Sequence, residues 1–186
     1  SKNYQDCFGF REAEVSELLQ AAGLQDAMPE MKKWYDGYLF GETEMYCPWD
    51  VINHVRALMT DRTAKPENYW LDTSHNNIIR RFIDHPQLNV NEKFETLLAG
   101  GVIQEPIRED LTYDIAHSSE ENLWSILYLT GYLTQALPEK WPEGRKPVEG
   151  KLFLRIPNEE VKSVFGDTVK KWFEETITSQ DRTALF

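Results

Sequence analysis

One stretch constrains this chain more than any other: Trp34-Tyr35-Asp36-Gly37-Tyr38-Leu39-Phe40-Gly41, followed soon by Tyr46-Cys47-Pro48-Trp49-Asp50. It mixes aromatic side chains with two glycines in a run too short for a helix. Glycine lacks a Cβ and takes positive φ at no steric cost, whereas aromatic rings dominate the energetics of whatever core they enter. The run therefore predicts a turn walled by rings. Gly37 and Gly41 bend the chain, Tyr38 and Phe40 fill a core, and Asp36 ties the turn rather than acting as an acid. Contact of the same rings with a nucleotide or substrate is the competing reading.

With 186 residues, 41% of them hydrophobic, the chain can bury a real core as one large domain or two small ones. Lys plus Arg number 20 against 31 Asp plus Glu, a net charge of −11. Affinity for nucleic acid rests largely on Lys and Arg displacing phosphate counterions, so this balance disfavours DNA or RNA as a partner of this chain alone. Cys7 and Cys47 lie far apart and in no metal-spaced cluster, which predicts ordinary reduced thiols. No apolar run approaches the ~20 residues of a membrane span, and the expected location is cytoplasmic. The chain opens abruptly at Ser1, without Met, like an internal start.

Helix signals dominate. Val15, Leu18, Leu19 and Ala22 recur at helical spacing before Gly23. Pro29 suits the first turn of a short helix to about Trp34, and 38–40 with 44–47 could pair as a hairpin around Gly41-Glu42. Pro48 opens a helix with Val51, Ile52, Val55 and Leu58 as its buried stripe. Another helix carries Ile78, Ile79 and Phe82, and His85-Pro86 breaks it. Asn91 caps a helix with Phe94, Leu97 and Leu98, ended by Gly100-Gly101. Residues 111–115 alternate like a strand, with Val102-Ile103 as partner. Ser118 and Glu121 have capping-box spacing ahead of a helix apolar around most of its girth, the expected central helix. Residues 134–137 and 151–156 read as two strands, and Asn158 caps a last helix with Glu159 and Glu160 in its first turn. The fold class expected is α+β, predominantly helical. It comprises a lid-like helical part with a small hairpin over 1–86 and a region, 87–186, that permits a winged-helix-like unit.

The run 34–41 and Tyr46-Cys47-Pro48-Trp49-Asp50-Val51-Ile52-Asn53 resemble a signature of the bacterial AAA-ATPase-like family, whose members typically end in a PD-(D/E)XK nuclease-like domain. Further matching phrases follow in order: Tyr69-Trp70-Leu71-Asp72-Thr73-Ser74, Asn76-Asn77-Ile78-Ile79-Arg80, the stretch from Leu123 to Thr134, and Leu154-Arg155-Ile156-Pro157-Asn158-Glu159-Glu160-Val161. The resemblance spans roughly residues 8–165, and Cys47 departs from the usual Asn. It implies a piece between an upstream P-loop core and a downstream nuclease-like domain. Its partners would be those two parts of its own parent chain, or a second copy. ATP and Mg²⁺ would belong to the parent, and this piece would hold no cofactor. The signature residues Trp34, Tyr35, Asp36, Gly37, Tyr38, Phe40, Gly41, Pro48 and Trp49 would be structural. Arg80 or Arg81 would be a nucleotide sensor in the intact protein, since a guanidinium stays charged and forks to phosphate oxygens. The competing reading is a surface arginine paired with Asp84 or Asp72.

The chain carries no GxxxxGK[ST] phosphate loop and no apolar strand ending in paired acids. Glu160-Val161-Lys162 matches the acid-x-Lys step of a nuclease site, but at a predicted helix start, where a solvated helix turn is the simpler reading. His54, His75, His85 and His117 show neither HxxxH nor HExxH spacing. The leading expectation is a noncatalytic regulatory or coupling region. The alternatives are a stand-alone winged-helix-like module binding protein (less readily DNA) and an enzyme whose residues assemble only in space.

Overall fold

The computed structural model describes residues 9–69, 90–108 and 120–167. It has an α+β fold in which helices predominate and two small antiparallel sheets join them. α1 spans Glu12–Ala21, with the Glu14 carboxylate accepting the Arg11 N–H at 2.8 Å. Val15 and Leu19, four residues apart, share its buried face. Gly23 then reverses the chain at φ +68°. α2 is Met28–Tyr35, with Pro29 in the first turn and Met31 and Tyr35 buried. β1 (Tyr38–Phe40) and β2 (Thr43–Met45) form the expected hairpin, with Tyr38 opposite Met45.

α3, Pro48–Thr60, starts at its proline as expected. Its buried stripe is Val51, Val55 and Leu58 completed by Asp50 and His54. Ile52, expected inside, is 38% exposed, because it lies one position off that face. Phe40 is likewise corrected: it is 36% exposed at the end of a three-residue strand and belongs to neither core cluster of the described residues. α4, Asn91–Leu98, begins at Asn91 itself, with Val90 in the capping position, so Asn91 is not the cap.

β3 is Ile103–Pro106, α5 Glu120–Leu129, β4 Thr134–Gln135 and β5 Lys151–Arg155. The sheet order is β3-β5-β4, all antiparallel, with Ile103 opposite Leu154 and Thr134 opposite Arg155. The strand partner described for β3 is thus β5. Residues 111–115, its expected partner, lie outside the described residues, as do Cys7, the helix expected around Ile78, and Arg80 and Arg81. α6 runs over 159–167. Asn158 caps it as expected, its Oδ1 accepting the Val161 N–H at 3.0 Å.

Buried apolar residues form two clusters. The first joins Val15, Leu19, Met31, Tyr35, Tyr46, Val51 and Leu58 from α1 to α3. The second gathers α4, the three-stranded sheet, α5 and α6 around Trp124, which is fully buried. Phe94 stacks at a tilt 5.2 Å from Trp124 and 5.9 Å from Phe165, and Tyr132 meets Phe165 edge-on at 5.8 Å. Each such pair adds about 0.5–1.5 kcal/mol beyond area burial. The division expected between residues 86 and 87 lies outside the described residues.

Candidate functional site

The site of interest is the seam between these two clusters, where the turn after α2 lies against the turn between β5 and α6. Asp36 follows the end of α2 with an extended backbone (φ −85°, ψ −177°), and Gly37 comes next at φ +99°. A Cβ at Gly37 would overlap the carbonyl oxygen of Pro157 and lie 3.1 Å from its carbonyl carbon. The glycine is thus required twice, for its torsion angle and for the approach of the second turn. Asn158 Nδ2 donates to the Asp36 carbonyl at 3.0 Å. Arg155 donates from Nη2 to the Gly37 carbonyl at 3.0 Å and to Glu44, and from Nη1 to the carbonyls of Ile156 and Pro157. On the hairpin side, the Leu39 N–H donates to Thr134 Oγ1 at 2.9 Å. Four polar ties therefore cross the seam around one glycine.

Beneath it lies a buried polar layer. Asp50 and Glu160, on α3 and α6, are both fully buried. Glu160 Oε1 accepts the Tyr69 N–H at 2.7 Å. Burial raises the Asp50 carboxyl above its ordinary value, while the Cys47 thiol and the Glu160 carboxyl beside it favour the charged form. A carboxylate cannot donate to a carboxylate, so the Asp50–Glu160 contact becomes a hydrogen bond only when one of the two holds a proton. Tyr35, Tyr38 and Tyr69 feel both acids, and burial first of all raises each phenol above its usual range.

His54 is fully buried one turn along α3. Its ring lies 5.5 Å from Tyr35 and 6.3 Å from Tyr69, and burial lowers its pKa. Burial pushes the Cys47 thiol up to about 12, so it stays protonated at neutral pH and is no thiolate nucleophile. Asp36 holds the turn through its main chain. Its backbone carbonyl takes Asn158, and the Gly37 N–H partly offsets the burial that raises its carboxyl.

The remaining signature residues have local tasks. Trp34 packs half-buried against the first cluster, where Tyr35 is fully buried, and Tyr38 packs against the second. Gly41 turns the hairpin at φ +66°. Trp49 is 59% exposed, its indole N–H donating to the Tyr69 carbonyl at 3.2 Å. Glu160-Val161-Lys162 does stand at a helix start, but Glu160 is fully buried and not part of a solvated turn.

Reading the sequence missed the roles of Glu44, Asp50, Arg155 and Glu160 here. Asp50 and His54 carried a usable signal, because they share the helical face of Val51, Val55 and Leu58. Among the described residues no group of three or more His, Cys, Asp or Glu is arranged for a metal ion, and no helix is long and apolar enough to cross a membrane. Comparison of the chain with protein-family models, curated proteins and solved structures gives no match.

Proposed function

We propose that this chain is a noncatalytic coupling region of an AAA-ATPase-like, nuclease-associated protein. Its first cluster would pack on an ATPase core, and its second would carry the linker side toward a nuclease-like domain. One observation carries this reading. Two phrases of the family resemblance more than a hundred residues apart, 34–41 and 154–161, touch through Gly37, Pro157, Arg155 and Asn158. A seam tied by oriented hydrogen bonds across a close backbone approach suits a part that passes a displacement from one cluster to the other, since packed interfaces shift between discrete arrangements.

The test starts with the reading frame around this chain. A P-loop upstream and an acid-x-Lys strand motif downstream are expected, and a frame confined to these residues overturns the reading. In the intact protein, Asn158→Ala should lower the response of the downstream domain to ATP while leaving ATP binding in place. Arg80→Ala should slow ATP turnover, and unchanged turnover removes the sensor role.

The strand order β3-β5-β4, with α4 before β3 and α5 between β3 and β4, favours a second reading. It is the order of a winged-helix-like unit, and in a chain of net charge −11 such a module would take a protein partner more readily than DNA.

A further inference from the structure

Acids outnumber bases in this chain, so a basic concavity is not an average property of its surface. One cleft of about 460 Å³ is basic. Lys33 of α2 lines it from the first cluster's side, and Lys140, Arg155 and Lys162 line it from the second's. Glu159 is the acid in its wall. Glu44 neutralises part of the positive charge by pairing with both Lys140 and Arg155. Even with Glu44 counted, bases exceed acids by two. Lys33 and Lys162 form no ion pair among the described residues.

Arg155 is the fixed member of this set. A guanidinium has five N–H donors. Its two Nη groups are engaged by Gly37, Glu44, Ile156 and Pro157. The buried Nε–H has no acceptor. That atom is sealed from solvent, so Arg155 brings the cleft charge rather than a free donor.

We propose that this cleft binds the phosphate dianion of a small phosphorylated molecule. The excess of two positive charges matches a phosphate monoester, which carries about −1.5 to −2 at neutral pH. Lys33 and Lys162 supply point charges from the two sides, as lysines do in phosphate sites, and the Arg155 guanidinium adds fixed positive charge in the wall between them. The volume falls in the range of small-molecule sites. Because the two lysines stand on different clusters, a bound phosphate braces the seam. The inference does not depend on the coupling role and holds for either functional reading.

The test is calorimetric titration of the full chain at constant ionic strength with inorganic phosphate, ribose 5-phosphate and ribose. Binding of phosphate and ribose 5-phosphate without binding of ribose is expected. Tighter binding of the ester assigns the site to a phosphorylated metabolite, and equal affinities assign it to free phosphate. Lys33→Gln with Lys162→Gln should weaken phosphate binding by about a hundredfold, on the order of tenfold per charged contact, with the melting temperature of the free protein unchanged. Absence of phosphate binding overturns the proposal, as does binding that the double lysine variant leaves intact.

Discussion

Gly37 and Pro157 are 120 positions apart and share one backbone contact in which there is no room for a single additional carbon atom. Gly37 sits at φ +99°, and the Pro157 carbonyl oxygen occupies the space a side chain would need. Gly37→Ala therefore combines torsional strain with a clash against backbone, which cannot rotate aside. A loss of about 3 kcal/mol or more is expected. Urea unfolding checks it. Gly100→Ala is the control, since Gly100 has φ +85° but nothing within 4 Å of its Cβ position, so it should cost only the strain, about 1 kcal/mol.

Asn158 works at both ends of its amide. Oδ1 caps α6 through Val161, and Nδ2 holds the Asp36 carbonyl. Asn158→Ala should lower stability by about 2–3 kcal/mol, the sum of a cap and a buried hydrogen bond. Asn158→Asp keeps the cap acceptor and loses the donor, so it should cost less than the alanine. An aspartate variant as stable as the parent would show that the bond across the seam contributes nothing, and equal losses in the two variants would show the same of the cap.

Asp50 makes the stability of this protein fall with rising pH over part of the acid-to-neutral range. Its folded pKa is raised, first by burial, above the ordinary 3.8. The folded state thus holds a proton that the unfolded chain gives up. That share of stability is complete below about pH 4 and drains away as pH rises through the folded pKa. Asp50→Asn removes this slope and can still donate to Glu160. At neutral and alkaline pH the variant should be the more stable of the two, with the gap closing toward pH 4. Thermal unfolding across that range decides, and parallel curves for the two proteins would count against it.

His54 acts in the opposite sense. Burial lowers its pKa below 6.5, so the unfolded chain binds the proton more readily and stability falls as pH drops below about 6.5. Neither ring nitrogen has a hydrogen-bond partner among the described residues, and Glu30 stands 4.0 Å from Nε2, too far for a bond. His54→Leu replaces an unpaired polar ring with an apolar side chain. It should stabilise the protein by about 1 kcal/mol near neutral pH and more at pH 5. A loss of stability at pH 5 would show that the ring's packing on Tyr35 and Tyr69 outweighs its unmet polarity.

Local signals in the sequence were reliable where the cause was local. Pro48 opens α3, Gly23 turns the chain after α1, Asn158 caps α6, and 38–45 forms the hairpin. Each follows from one residue's torsional or hydrogen-bonding chemistry. Apart from Asn91, which opens α4 instead of capping it, the errors fell where burial decides. Ile52 and Phe40 have core chemistry and stand exposed, whereas Glu160 has surface chemistry and is sealed beneath Tyr69.

The sequence by itself determined the α+β class, the helix limits of the first part, the glycine-based turn at 37 and the acidic surface. Periodicity, φ preference and charge are properties a residue has before any second segment arrives. Only the tertiary structure decided that the turn at 37 meets the turn at 157, that Asp50 comes to lie against Glu160, and that Lys33 shares a cleft with Lys162. Each of those facts depends on which distant segment covers a residue. That is set by how two buried surfaces fit, and no spacing within either segment records it.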